Sequence, residues 1–317
     1  MTLTELRYIV AVARERHFSR AAESCFVSQP TLSVGVRKLE EALGVQIFER
    51  GPKSEVRLTT TGERIVAQAQ RVLEEAERLK QVAKHGQDPL NGPLRLGLIY
   101  TIGPYLLPHI IPTLHGRAPQ MPLLIEEGFT AELAKRLRFG ELDVIVVSLP
   151  FSEPGIVTQA VYEEPFVVAM PPEHSWREMD SLPPERLAEG ELLLLGQGHC
   201  FRDQVLQMCP DCNRSAAIGG LQRTLEGSSL ETIRHMVASG LGVTVLPCSS
   251  AQNDMEGGRL VYRAFRKPVS MRWGMLAWRK SFPRPEAVEA LLQTIFEVHI
   301  PCLHRLPNQP IMPGMGE

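Results

Sequence analysis

The chain carries its densest chemistry in one short stretch. Gly198-His199-Cys200-Phe201-Arg202-Asp203-Gln204 sets a thiol between an imidazole and a carboxylate, and Cys209-Pro210-Asp211-Cys212 follows as a C-x-x-C. A thiol beside groups that move protons is the composition of a reactive cysteine, because the thiolate is the nucleophile. Gly196-Gln197-Gly198 forms a flexible approach to a helix expected to start near Cys200, where aligned amide dipoles favour a thiolate. A metal reading of the C-x-x-C needs further ligands. His199 and Cys200 lack finger-like spacing, so no metal is expected. No glycine-rich nucleotide motif is present, and no cofactor is expected. The six cysteines are too few and too uneven for a disulfide scaffold, as in a cytosolic protein. Cys25, beside Phe26 on an apolar helical face, reads as a core thiol, and Cys248 and Cys302 as unreactive or incidental.

The elements that must position this stretch alternate between strand and helix. Residues 94–99, 122–126 and 143–147 read as strands, and 108–114 and 130–139 as helices, a pattern that implies a parallel sheet with crossover helices. Near Glu164 the series restarts with strands at 166–169, 192–195 and 243–246 and a helix at 229–239. A strand at 273–278 returns to the first set and a helix at 285–299 closes it. Two α/β lobes joined by two chain crossings make a hinged, ligand-sensing clamp. The expected divisions are lobe I at 93–164 plus 269–300, lobe II at 165–268, and a flexible Pro- and Gly-rich tail at 301–317.

The first 60 residues are organised differently. Leu3, Leu6, Ile9, Val10 and Ala13 fall at helical spacing, and a second helix starts at Phe18-Ser19-Arg20-Ala21-Ala22 with Ser19 as its N-cap. Ser28 caps a third helix that admits Pro30 in its first turn and runs to about Leu43. Leu32, Val36, Leu39 and Leu43 share one face, leaving Gln29, Thr31, Ser33, Arg37 and Lys38 outward. Residues 47–51 and 56–59 then form a two-stranded wing around Pro52-Lys53, completing a winged helix-turn-helix at 1–60. From Thr60, which with Glu63 forms a capping box, a linker helix at 61–86 places Ile65, Ala69, Val72, Ala76, Leu79 and Ala83 in a heptad seam. The seam predicts dimerisation; the alternative is packing onto its own core. Residues 87–92 are a turn-rich hinge.

Composition sets the outer bounds. At 317 residues, 44% hydrophobic and 22% charged, the chain folds into several domains and is not globally disordered. Charges nearly cancel, but residues up to Thr60 hold 9 basic and 7 acidic groups, leaving 25 and 29 of the 34 and 36. The head is therefore the more basic part, the sign expected for contact with nucleic acid. The N-terminus carries no signal-peptide pattern. The longest uncharged run, 96–116, is broken by Pro104, Pro108 and Pro112, so no membrane partner is expected and the chain is expected to be cytoplasmic.

Phe18-Ser19-Arg20-Ala21-Ala22, Ser28-Gln29-Pro30-Thr31-Leu32-Ser33, Leu39-Glu40, Leu43-Gly44, Phe48-Glu49-Arg50, Leu58-Thr59 and Thr61-Gly62 together resemble the DNA-binding head of LysR-type transcriptional regulators. The resemblance covers about the first 85 residues, and the remainder has the family's length and order of elements, including its periplasmic-binding-protein-like effector lobes. Within the family, the 198–204 heptad followed by Cys209 is similar to the peroxide-sensing branch.

The resemblance implies a role for each group. Gln29, Pro30, Thr31 and Ser33 would open a recognition helix toward base edges of promoter DNA, with Arg37, Lys38, Arg50 and Lys53 on phosphates. Cys200 would be the thiol that hydrogen peroxide oxidises and Cys209 the thiol that resolves it. Thr101, Thr130, His199, Asp203 and Arg272 would line the pocket. Oxidative-stress genes would be the targets, read by a homotetramer built as a dimer of dimers that acts with RNA polymerase. Thiol reductants such as glutaredoxin or thioredoxin would reset it. Along a helix from 200 to 209, Cys200 and Cys209 would stand about 13 Å apart, beyond the ~4.4–6.8 Å of a disulfide, so their bond requires that segment to be remodelled. Cys212 leaves an alternative open, since it also could resolve Cys200 or compete with Cys209. Two further readings share parts of the pattern: a LysR regulator that binds a small organic acid between its lobes, and a thiol peroxidase or oxidoreductase. The DNA head would have no role in the second, and the chain is expected not to be an enzyme.

Overall fold

The computed structural model describes residues 1–50, 56–85, 88–212, 227–251 and 258–306. Two compact units divide the chain: Met1–Pro89 with Arg138–Glu141 and Ser281–Pro285, and the remainder. In the first unit, α1 (Leu3–Glu15), α2 (Phe18–Ser24) and α3 (Gln29–Leu43) precede β1 (Phe48–Arg50), β2 (Val56–Leu58) and α4 (Thr60–His85). Ile9, Val12, Ala21, Leu32, Leu39 and Ile47 are fully buried at its centre. The small Ala21-Ala22 pair permits the close approach of the helices.

Local signals explain most helix ends, with two corrections. Ser28 caps α3 by accepting the Thr31 amide at 3.3 Å, and Gly44 ends it at φ 68, a left-handed conformation suited to glycine. The N-cap of α2 is His17, not Ser19: its Nδ1 accepts the Ser19 amide at 3.2 Å, so Ser19 falls inside the helix. The cap at α4 is Thr59 in place of the expected Thr60, with its hydroxyl accepting from Gly62 N and donating to the Gln46 carbonyl, both at 2.8 Å. Gly62 sits where any Cβ would collide with the Ile47 carbonyl oxygen. The Glu40 carboxylate accepts the Ile47 and Phe48 amides at 2.7 and 3.2 Å, tying α3 to the start of the wing. β1 and β2 pair antiparallel, with Phe48 opposite Leu58.

The heptad seam of α4 is divided. Ile65 and Ala69 pack on their own unit's core together with Val66 and Leu73, which the seam does not include, because that end of the helix lies against α1. For these two positions the expectation of a dimer contact is corrected. Val72 and Leu79 are exposed, Leu79 by 74%. Ala76 is half-buried, and the side chain of Ala83 lies outside the described residues.

The second unit is an α/β structure. β3 (Leu94–Ile99) lies between β4 (Leu123–Gly128) and β5 (Val144–Ser148), parallel to both, with α5 (Gly103–Arg117) and α6 (Thr130–Arg138) as the connecting helices. β11 (Met271–Arg279) is antiparallel to β5 and to β6 (Ile156–Met170). β6 carries the chain into a second group of strands, where its C-terminal half pairs with β9 (Val243–Pro247) and β10 (Val261–Phe265). Short β7 (Ser181–Leu182) and β8 (Leu192–Leu193) pair parallel to β10 and β9. Around them lie α7 (Cys200–Met208), α8 (Leu230–Ala238) and α9 (Cys248–Ala251), whereas α10 (Pro285–Glu297) is tied to α5 of the first group by Arg117, which donates to Ala290 O at 3.2 Å and Thr294 Oγ1 at 3.0 Å; β12 (His304–Arg305) follows.

Four expectations change here. α5 is longer than 108–114, since Pro104, Pro108 and Pro112 recur at four-residue intervals on one exposed face, so the carbonyls that lose an amide partner face water. No break occurs at Glu164, which lies within the continuous strand β6. The expected flexible tail is held to the sheet over its described part: His304 pairs with Glu163 of β6, and the Leu306 amide donates to Val161 O at 3.0 Å, while residues 307–317 lie outside the described residues. Cys248 and Cys302, expected to be incidental, are joined as a disulfide with Cα atoms 6.1 Å apart, because β12 brings the tail to β6 beside α9. Among the described residues, no helix is long and apolar enough to cross a membrane.

Candidate functional site

Cys200 is the first residue of α7, and His199 is its N-cap. Gly198, at φ 96, makes the turn into this helix; it also lies against Phe129, whose ring a side chain here would crowd. α7 is fixed by its apolar side, with Phe201 and Val205 buried in the core of the second strand group and Phe201 edge-on to Phe166 at 5.2 Å. Its other anchor is polar. Gln204 donates to Ser148 Oγ at 2.9 Å and to the Leu149 carbonyl at 2.7 Å, at the end of β5. The helix therefore holds both strand groups of this unit.

Arg272 organises the floor of the site. It is 1% exposed, and its Nε donates to Glu164 Oε1 at 2.7 Å while its other nitrogens donate to Thr101 Oγ1 at 3.0 Å and Thr101 O at 2.8 Å. Glu164 is itself fully buried and accepts the Ser249 amide at 2.9 Å. A buried ion pair with its remaining lone pairs hydrogen-bonded is the arrangement that survives desolvation. The guanidinium also lies 5.5 Å from the centre of the Phe201 ring, and its charge reaches Cys200.

Thr130 is the first residue of α6. Its buried hydroxyl has no well-formed hydrogen bond yet faces Cys200 closely enough to favour the thiolate. His199 is buried against the rings of Phe129 at 4.8 Å and Tyr100 at 5.8 Å, and burial lowers its pKa, favouring the neutral imidazole. Asp203 stands on the exposed side of the first turn of α7, and its charge disfavours a thiolate at Cys200.

The thiol is less acidic than the helix dipole alone suggests. Burial pushes the Cys200 pKa up, against the opposing effects of Thr130 and Arg272, and much of the Arg272 charge is already matched by Glu164. Alkylation of Cys200 by iodoacetamide should be slow at neutral pH and rise about tenfold per pH unit, still climbing past the ordinary thiol value of 9.0. Rates from mass mapping at a series of pH values check this; a plateau below pH 8 contradicts it.

Cys209 is the C-cap of α7, at the far end from Cys200. It is joined as a disulfide to Cys212, with Cα atoms 5.5 Å apart, and both are buried. Cys200 and Cys25 are free. Among the described residues, no group of three or more His, Cys, Asp and Glu is arranged to hold a metal ion.

On α3, Gln29, Pro30, Thr31, Arg37 and Lys38 are exposed and Ser33 half-exposed. The Thr31 hydroxyl shares a 2.8 Å hydrogen bond with Ser28, so it is partly engaged in the cap. The Arg50 side chain and Lys53 lie outside the described residues. Sequence reasoning missed five residues. Glu164, on the buried face of β6, was obscured by the break expected there; Gln204 in the heptad was given no role. Phe129 and Tyr100 resembled ordinary apolar residues, as did Val34, which is 52% exposed on the outer face of α3.

Residues 3–63 match the family model described as "Bacterial regulatory helix-turn-helix protein, lysR family", and residues 87–299 match "LysR substrate binding domain". The chain is 38% identical to "DNA-binding transcriptional dual regulator OxyR" of Escherichia coli (strain K12), over 93% of this chain and 95% of that protein. It is 39% identical to "Probable hydrogen peroxide-inducible genes activator" of Streptomyces viridosporus, over 93% and 94% of the two chains. A solved structure of full-length Pseudomonas aeruginosa OxyR with a cysteine-to-aspartate substitution is 54% identical, covering 98% of this chain and 99% of that one at a TM-score of 0.76. A Corynebacterium glutamicum OxyR cysteine-to-serine mutant, described as H2O2-bound, is 32% identical over 93% of each chain at a TM-score of 0.59. The chain belongs to the LysR family of bacterial helix-turn-helix regulators and, within it, to the OxyR group.

Proposed function

We propose that this protein is a cytoplasmic, non-enzymatic transcriptional regulator that binds promoter DNA and senses hydrogen peroxide through Cys200. The observation that carries this reading is the group around one free thiol: Thr130 facing the sulfur, Arg272 held to Thr101, and His199 at the same helix start. Names given to relatives that match along nearly the whole chain support it. Peroxide binds with the Thr130 and Thr101 hydroxyls as its hydrogen-bonding partners. The Cys200 sulfur attacks one oxygen, the O–O bond breaks, and the thiol proton passes through His199 to the departing hydroxide, giving a sulfenic acid and water. Cys209, when reduced, then displaces hydroxide from that sulfenic acid; a second water forms together with the Cys200–Cys209 disulfide.

That bond requires α7 to open, since nine residues of helix separate the two positions by about 13 Å. Opening releases Gln204 from Ser148 and Leu149, and so couples the chemistry to both strand groups. DNA is held through Gln29, Pro30, Thr31, Ser33, Arg37 and Lys38, with Arg50 and Lys53 on the wing. The exposed Val72 and Leu79 of α4 pair chains within a dimer of dimers. RNA polymerase is the partner on the promoter, and a glutaredoxin or thioredoxin restores the thiols. Footprinting on a candidate oxidative-stress promoter tests the reading. The protected region should change on adding micromolar peroxide to fully reduced protein and revert with a thiol reductant. An unchanged footprint with a response to a small organic acid instead would replace it with the metabolite-binding reading.

A further inference from the structure

The structure pairs Cys209 with Cys212 while α7 is intact and Cys200 is a free thiol. This combination is not the endpoint of a switch that uses only Cys200 and Cys209. Resting on the peroxide-sensing reading above, we propose that Cys212 is a third redox residue: it takes the disulfide from Cys200–Cys209 onto Cys209–Cys212, and so ends the signal from within the chain.

The geometry gives the direction. A Cys200–Cys209 bond is incompatible with the helix between them. Keeping it sacrifices both Gln204 hydrogen bonds and the burial of Phe201 against Phe166 and Arg272. A Cys209–Cys212 bond sacrifices none of these. Its Cα atoms are 5.5 Å apart, within the range a disulfide spans, and the Cys212 amide donates to Cys209 O at 3.1 Å in the turn that follows the helix. Both sulfurs sit in the same apolar core as Phe201 and Val205. Refolding of α7 therefore drives exchange from the first bond to the second.

The step balances without an outside reductant. The Cys212 thiolate attacks the Cys209 sulfur of Cys200–Cys209. The Cys209–Cys212 bond forms, the Cys200–Cys209 bond breaks, and Cys200 departs as a thiolate that takes up the proton Cys212 gave up. The oxidising equivalent remains in the chain, on a pair that leaves α7 closed. Cys200 is then a free thiol with no resolving partner: more peroxide oxidises it only to the sulfenic acid. The protein becomes refractory until Cys209 and Cys212 are reduced.

The test uses full-length wild type, Cys212→Ser and Cys200→Ser, each fully reduced and titrated anaerobically with hydrogen peroxide in the presence of dimedone, which tags sulfenic acids. Mass mapping should show Cys200–Cys209 first in wild type, then Cys209–Cys212 with dimedone on Cys200, and about two peroxides consumed per chain. Cys212→Ser should stop at Cys200–Cys209 after one peroxide, without dimedone. Cys200→Ser should form no Cys209–Cys212 bond at the same peroxide. The proposal is overturned if wild type stops at Cys200–Cys209 with Cys212 a free thiol, or if Cys200→Ser forms Cys209–Cys212 as readily as wild type. Failure of the sensing reading is distinct: Cys200 then stays unoxidised in both wild type and Cys212→Ser.

Discussion

Replacing Arg272 with methionine should destabilise the regulatory unit by about 3–5 kcal/mol, the cost of leaving one member of a buried ion pair without its partner. Glu164 is fully buried, and without Arg272 it keeps only the Ser249 amide among the hydrogen bonds described above. Thr101 loses the two donors that hold its hydroxyl and carbonyl. Chemical denaturation checks the magnitude. Adding Glu164→Gln to Arg272→Met should recover a large part of the loss, because the stranded charge is then gone, and a double-mutant cycle measures the coupling. Arg272 also supplies positive charge near Cys200, so its loss raises that thiol's pKa further and slows its reaction with peroxide. The kinetic effect separates a role at the site from a purely structural one: recovery of stability in the double variant should leave the peroxide reaction slow.

The second large effect concerns the sulfur itself. Cys200→Ser should abolish the peroxide-driven change in footprint while leaving DNA binding by the untreated protein intact. Serine is close in size, and Cys200 is half-buried at a helix start that serine tolerates. Cys209→Ser should differ in kind: Cys200 still oxidises, but only to a sulfenic acid that dimedone traps. A retained footprint change in Cys200→Ser would move the sensing role to another thiol, with the Cys248–Cys302 pair as the first to examine.

How far the site was legible depended on whether its partners are close in sequence. His199, Cys200 and Asp203 fall within one heptad, and the helix start at Cys200 could be inferred from the glycines before it. Arg272 and Thr101 are 171 residues apart, and only the resemblance to a family named them together; the hydrogen bonds between them come from β11 and the end of β3. Glu164 was hidden by an expected break that β6 does not make. Alternation reads well where apolar residues keep to one face, but β6 has Thr158 and Glu164 on its buried face and Val157 and Val167 on the other, and it crosses between two strand groups. The prolines of α5 suggested a short helix, and only their common exposed face shows why the helix continues. Cys248 and Cys302 are 54 residues apart, and the pairing of β12 with β6 that unites them has two residues and no hydrophobic pattern. The winged head was legible almost in full, because caps, turns and apolar spacing there are all local. Its caps were misplaced by one or two residues, at His17 and Thr59.

The central claim is that peroxide acts at Cys200 and that α7 opens as a result. Hydrogen exchange of the 200–208 amides, followed by mass spectrometry as substoichiometric peroxide is added anaerobically to reduced protein, tests it most directly. Protection across α7 should be lost in step with the appearance of the Cys200–Cys209 bond and should return as that bond disappears, whether by exchange onto Cys209–Cys212 or by an added thiol reductant. Cys200 remaining a free thiol at micromolar peroxide, or a Cys200–Cys209 bond forming while α7 stays fully protected, would contradict the account.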